Sequence, residues 1–107
     1  MVTMSDAQDA PAPRQAPPLT TRDRATLKAR AHALEPVVRV GHAGLTPGVI
    51  ADIARALDTH ELIKVKLAEG DREERRATTA RVCELTGAAL VQQVGRVVVL
   101  WLPGDGE

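Results

Sequence analysis

The stretch that decides the fold is EPVVRVGHAGLTPGV, residues 35–49. Its first part, Pro36 to Val40, is short and mostly apolar, with three β-branched valines, which predicts a strand. The next part has the spacing Gly-x-x-Gly, which predicts a loop. Thr46 is suited to the N-cap of a helix, and Pro47 to its first position. The stretch therefore predicts a strand, a glycine loop and a helix in immediate succession.

A glycine loop that leads into a helix is suited to bind a phosphate. Glycines let the backbone approach a ligand without an intervening Cβ, and the first N–H groups of a helix can donate to an anion. KH-type modules clamp a nucleic-acid backbone through a GxxG loop of this kind. The spacing alone is weak, so the prediction depends on the strand–loop–helix context. The residues predicted to contact RNA here are Gly41, His42, Ala43, Gly44 and Thr46.

Apolar periodicity predicts helices and strands in alternation along the rest of the chain. The predicted helices are Thr21–Leu34, Pro47–Asp58 and Arg72–Thr86, and the predicted strands are Val37–Val40, Leu62–Leu67, Ala89–Val94 and Val97–Leu102. The order α-β-α-β-α-β-β predicts an α/β fold with some parallel pairing. The last strand is apolar throughout, as is typical of a central strand, so Trp101 is expected in the core.

The length of 107 residues predicts one domain of modest size. Residues 1–18 are rich in Ala, Pro, Asp and Gln and are predicted to be a disordered tail. Residues 19–103 are predicted to form the domain, and residues 104–107 a flexible C-terminus. No run of residues is long and apolar enough for a membrane span or a secretion signal, so we expect a cytoplasmic protein.

The formal net charge is zero, but the charges are unevenly distributed. The net charge is −1 over residues 1–19, +3 over residues 20–45 and −2 over residues 46–107. Positive charge is therefore concentrated on the first helix and the glycine loop, which favours an anionic partner there. The cationic residues assigned to an RNA-binding surface are Arg22, Arg24, Lys28, Arg30, Arg39, Lys64 and Lys66.

The other reactive side chains show no catalytic or metal-binding pattern. The single cysteine, Cys83, is expected to be a small buried or half-buried hydrophobe of the third helix. The three histidines have neither i,i+4 spacing nor cysteine partners, so no metal site and no cofactor are predicted. Arg72, Arg75 and Arg76 alternate with acidic residues, which indicates an ordinary solvated helix face.

Six segments carry a resemblance to a known family. They are LEPVV (34–38), GHAGLT (41–46), HELIKVK (60–66), DRE (71–73), TGA (86–88) and VGRVVVL (94–100). In sequence and in order they resemble the YhbY-like, or CRM-domain, RNA-binding proteins of bacteria and plant organelles. The resemblance covers essentially the whole of residues 19–101 and is far more specific than the GxxG spacing alone.

The resemblance implies a four-stranded mixed sheet packed with three helices, similar to the C-terminal domain of translation initiation factor three. For a stand-alone bacterial member it implies binding of ribosomal RNA in precursors of the large ribosomal subunit. The family's conserved loop falls on residues 41–44. The chain differs from many members in Glu35, in its His-Ala loop interior and in its neutral net charge. We therefore expect weaker non-specific RNA affinity than in a typical member.

Two other functions stay open at this point. An adaptor that binds mainly a protein partner during ribosome assembly is favoured by the neutral net charge and the non-basic loop interior. A small enzyme acting on RNA is disfavoured, because the sequence has neither paired carboxylates nor a nucleophile with a histidine at a defined site. A monomer that binds no small-molecule substrate is the simpler expectation.

Overall fold

The computed structural model describes residues 14–104. Within this range the helices are α1 (Thr21–Ala31), α2 (Pro47–His60) and α3 (Arg72–Thr86), and the strands are β1 (Pro36–Arg39), β2 (Leu62–Lys66), β3 (Ala89–Val94) and β4 (Val97–Trp101). The predicted order α-β-α-β-α-β-β is confirmed. No helix in the described range has the length and apolar character needed to cross a membrane.

The strands form one mixed sheet in the order β1-β2-β4-β3. β1 and β2 are parallel, with α2 as the crossover between them, whereas β4 runs antiparallel to both β2 and β3. The predicted mixed sheet is thus confirmed. β4 is a central strand, as its unbroken apolar sequence predicts, and its residues 98–100 are buried.

Helices cover the sheet from both sides and create two apolar clusters. On one face, Ile53 and Leu57 of α2 belong to the same buried cluster as Val82 of α3 and the inward residues of β2 and β4. On the other face, α1 contributes Leu27 and Ala31 to a smaller cluster. Trp101 is half-buried and packs against this smaller cluster, so it is a core side chain, as predicted.

The helix ends are fixed by capping residues. The hydroxyl of Thr20 accepts the N–H of Asp23 over 2.9 Å, and the side chain of Asp71 accepts the N–H of Glu74 over 2.8 Å. In both pairs the second carboxylate accepts the N–H of the capping residue in return, which completes a capping box. Gly87 ends α3 in the left-handed conformation. These caps explain why the observed bounds of α3 match the prediction.

Two helices end at residues other than those predicted. α1 ends at Ala31 instead of Leu34, because the chain turns through residues 32–35 to start the edge strand β1. The turn is held by a hydrogen bond of 3.0 Å from the N–H of Leu34 to the carbonyl of Ala31. α2 continues to His60 instead of Asp58, and the chain then leaves through Glu61, which has a positive φ of 65°.

The segment before α1 is attached to the domain from Arg14 onward. The N–H of Ala16 donates to the carbonyl of Gly87 over 2.8 Å, and the guanidinium of Arg14 donates to the carbonyl of Pro103 over 2.9 Å. Arg14 also forms an ion pair with Asp58. Ordered contacts therefore begin before the predicted domain boundary at residue 19. The rest of the predicted tail, residues 1–13, and residues 105–107 lie outside the described part of the chain.

Candidate nucleic-acid interface

The GxxG loop forms a tight turn. The N–H of Gly44 donates to the carbonyl of Gly41 over 3.0 Å, and Gly44 has a positive φ of 80°. His42 and Ala43 form the centre of the turn and are exposed, and their N–H groups have no hydrogen-bond partner within residues 14–104. A Cβ at Gly41 would have no neighbouring atom within 4 Å. The loop is therefore open to the close approach of a ligand.

Helix α2 begins directly after the loop and adds a further donor. The hydroxyl of Thr46 accepts the N–H of Val49 over 3.1 Å, and its carbonyl accepts the N–H of Ile50 over 3.0 Å. Pro47 has no N–H group. The N–H of Gly48 is therefore the donor of the first helical turn that these contacts leave without a partner. Free amides in the loop and the positive end of the helix dipole together suit an anion.

Three cationic side chains line a groove of about 330 Å³ beside the loop. Arg39 and Lys66 are Cα partners in the parallel pairing of β1 and β2, so they lie on the same face of the sheet. The third is Arg96 of the β3–β4 turn, whose Nε donates to the carbonyl of Leu67 over 3.1 Å. One acid, Glu69, lies 3.9 Å from Arg96 and is largely exposed. We call this the loop groove; its lining, which includes Gly41 and His42, has an excess of positive charge.

The cations of α1 do not join the loop groove. None of the four predicted on this helix, Arg22, Arg24, Lys28 and Arg30, is among its lining residues. α1 packs against β2 and β3, and Arg30 lines another cleft together with His60 and Leu62, at the start of β2. The loop lies beside the end of β2 instead. The structure thus places the four α1 cations outside the loop groove, and their assignment to an RNA-binding surface stays a prediction.

Two of the predicted RNA-binding side chains make contacts within the fold. The guanidinium of Arg24 donates to the carbonyls of Leu90 and Val91, where β3 shifts its register against β4. The ammonium of Lys64 donates to the carbonyl of Leu34 over 3.0 Å. These side chains hold the helix and the following turn against the sheet, so their first role is structural.

Sequence reasoning missed Arg96 and Gly48 as residues of this site. Arg96 belongs to the predicted hairpin turn, and its place beside the loop depends on the pairing of Lys66 with Val97 across β2 and β4. That pairing is a long-range property that local patterns do not reveal. Gly48 could have been found, because a proline at the first position and a capping threonine leave the second amide of the helix free.

Residues 14–104 contain no group of three or more side chains that could hold a metal ion.

Comparison with known proteins finds relatives across the folded part of the chain. Residues 19–101 match the CRS1 / YhbY (CRM) domain. An RNA-binding protein from Haemophilus influenzae is 46% identical over 87 residues, which cover 81% of this chain and 88% of the relative. A probable RNA-binding protein from Pseudomonas aeruginosa is 42% identical over 83 residues, which cover 78% of this chain and 80% of the relative.

A solved structure shares the fold. The solution structure of a hypothetical protein from Staphylococcus aureus has a TM-score of 0.73 against this chain at 26% sequence identity. The match covers 82% of this chain and 92% of that protein. Domain match, sequence relatives and fold agree with one another and with the resemblance seen in the sequence. The chain therefore belongs to the CRS1/YhbY (CRM) domain family.

Proposed function

We propose that this protein binds RNA and that the loop groove contacts the phosphate backbone. The observation that carries the proposal is the exposed turn at residues 41–44, whose free amides lie beside the cations Arg39, Lys66 and Arg96. Amides and cations together are what a phosphate diester requires. One relative is named an RNA-binding protein and another a probable RNA-binding protein, which supports the same conclusion.

The proposed contacts recognise the backbone of RNA and not its bases. Trp101 is the only aromatic residue of the chain, and it is half-buried against α1. A surface that stacks bases on exposed Phe, Tyr or Trp rings is therefore not available. Contacts to phosphates position an RNA but carry little sequence information. Specificity in this proposal comes from the shape of the RNA.

We propose further that the RNA is ribosomal and that the protein acts as a cytoplasmic monomer on precursors of the large ribosomal subunit. The family resemblance supports this role. Sedimentation of native lysate through sucrose gradients, with and without ribonuclease, tests it. We expect migration with the precursor particles that is lost after ribonuclease treatment or in high salt. A protein that stays at the top of the gradient even at low salt would contradict the ribosomal role.

The loop is tested by Gly41→Asp in a fluorescence-anisotropy titration with a labelled ribosomal RNA fragment. Gly41 has open space around it, so the added carboxylate should repel phosphates without disturbing the turn. We expect about tenfold weaker binding, as for a like charge placed in an interface. Ala54→Asp adds the same charge to an exposed position of α2 and serves as the control.

Equal affinities of these two variants would exclude the loop as the contact. Absence of RNA binding by the unaltered protein would overturn the proposed function as a whole. In that case, a protein partner that is retained after nuclease treatment would support the adaptor function.

A further inference from the structure

A second groove, of about 370 Å³, lies between α3 and the β3–β4 turn. Its lining consists of Arg72, Arg75, Arg76, Gln93 and Gly95, with no acidic side chain. The three arginines have i, i+3 and i+4 spacing, so they lie on one face of the first turns of α3. We call this the arginine groove. Arg72 and Arg76 are exposed, as expected for a solvated helix face, and the groove adds that this face is concave and free of acidic side chains.

The arginines occupy an electrostatically unfavourable place. Arg72 is the first residue of α3, where the positive end of the helix dipole disfavours a cation, and the first turn also contains the acids Glu73 and Glu74. The carboxylates of Asp71 and Glu74 are turned toward the backbone of the capping box, with hydrogen bonds of 2.8 and 3.0 Å. Within residues 14–104, neither Arg72 nor Arg76 has an ion-pair partner. A local conflict of this kind is expected where a surface serves binding.

Two other helix arginines are paired within their own helices, whereas Arg22 and Arg30 of α1 have no ion-pair partner in the described part of the chain. Arg55 contacts Asp52 over 2.7 Å and Arg81 contacts Glu84 over 2.9 Å, each pair within one helix turn. Arg75 is also engaged, since its guanidinium donates to the carbonyl of Gly70. Arg72 and Arg76 are therefore the members of the arginine groove with guanidinium groups available to an anion.

The arginine groove adjoins the loop groove. Gly95 lines the former, and the next residue, Arg96, lines the latter, so the β3–β4 turn connects them. A direct route along the cleft between the loop and α3 is less favourable, because Glu69 and Glu74 line that cleft. The route over the turn presents Arg96, then the glycine, then Arg72 and Arg76.

We infer that a single strand of RNA held at the loop groove continues over the β3–β4 turn and places further phosphates on Arg72 and Arg76. The inference rests on the proposed function and extends it to a second contact surface. A bound strand then has a footprint longer than the loop, and its affinity depends on strand length. Two adjacent contact regions on one strand also strengthen each other through effective concentration.

The test compares R72Q/R76Q with R55Q/R81Q in the full chain. Both variants lose the same charge, but the second pair of residues is exposed, is paired within its own helices and lines neither groove. Fluorescein-labelled oligouridylates of increasing length are titrated at several salt concentrations. For long strands we expect about tenfold weaker binding by R72Q/R76Q and a salt slope reduced by roughly 1 to 1.5, since each lost phosphate contact removes about 0.7.

For strands too short to leave the loop groove, R72Q/R76Q should bind like the unaltered protein. Its thermal midpoint should be equal to or above that of the unaltered protein, because the removed cations lie at the positive end of a helix. Equal salt slopes of the two double variants on long strands would overturn the inference while leaving RNA binding intact. An unaltered protein that binds no oligouridylate or ribosomal RNA fragment would overturn the proposed function, and this inference with it.

Discussion

Gly41 and Gly44 belong to one motif but differ in how much each glycine contributes to the stability of the fold. Both have open space where a Cβ would lie, but Gly44 has a φ of +80°, which other residues adopt only with strain, whereas Gly41 has no positive φ. We predict that Gly44→Ala lowers the free energy of unfolding by about 1 kcal/mol and that Gly41→Ala leaves it nearly unchanged. Urea denaturation measures both. Gly44→Asn should recover most of the loss, and equal losses at the two glycines would contradict this assignment.

Cys83 gives a prediction about pH at the same scale. The side chain is half-buried beside the main core, and burial raises the pKa of its thiol above the ordinary value of 9.0. The thiol therefore stabilises the fold at neutral pH, and this contribution is lost as the pH rises through the raised pKa. We expect the stability of the protein, measured by urea denaturation, to fall more steeply above pH 9.0 than that of Cys83→Ala. Parallel pH curves would contradict the role of this thiol.

Some charged side chains that the sequence assigned to RNA binding instead connect a helix to the sheet. Arg24 joins α1 to β3 at the register shift, whereas Arg22 of the same helix is exposed and makes no side-chain hydrogen bond in the described structure. Both were assigned to RNA from the sequence. We predict that Arg24→Gln lowers the free energy of unfolding by about 1–2 kcal/mol, because two strand carbonyls lose a charged donor, and that Arg22→Gln has little effect. Thermal or urea unfolding that does not distinguish the two variants would refute this.

Periodicity predicted the bounds of α3 but not its buried face. It places Thr78, Val82 and Leu85 toward the core, whereas the structure buries Thr79, Val82 and Thr86 and leaves Leu85 41% exposed. The two buried threonine hydroxyls donate to carbonyls one turn earlier, over 2.9 Å from Thr79 and 2.8 Å from Thr86. A polar residue can thus be buried at low cost where its helix satisfies it. The spacing pattern took apolar Leu85 as a buried position and therefore missed Thr79 and Thr86, which the structure buries instead.

At the scale of the whole molecule, residues 14–16 of the N-terminal segment pack against Gly87 at the end of α3. A Cβ at Gly87 would lie 1.7 Å from the carbonyl oxygen of Arg14, and the φ of Gly87 is +82°. We predict that Gly87→Ala lowers the free energy of unfolding by more than the roughly 1 kcal/mol expected from the backbone conformation alone. Removal of residues 1–16 should reduce that loss, because the clashing segment is gone. A double-mutant cycle by urea denaturation measures the coupling, and simple additivity would contradict it.

The candidate site was predictable where it is local and not where it is assembled by the sheet. The turn at residues 41–44 and the cap at Thr46 are contiguous in sequence, so spacing and residue type were enough to find them. Arg96 comes to lie beside the loop, and Arg72 and Arg76 beside the β3–β4 turn, only through the order β1-β2-β4-β3 and the antiparallel hairpin. Charge counted along the chain assigned α1 instead, because it cannot show at which end of the sheet a helix lies.

The hydrogen bonds that hold Arg14 to Pro103 and Gly104 to Glu61 fix both limits of the described chain to one pole of the domain. That pole contains the starts of β2 and β3 and the end of β4, whereas the GxxG turn and the β3–β4 turn lie at the opposite pole. A reporter or tether joined at Gly104 is therefore attached at the pole opposite both grooves. Surface immobilisation through that position would present every molecule in the same orientation, with its cationic end toward the solution.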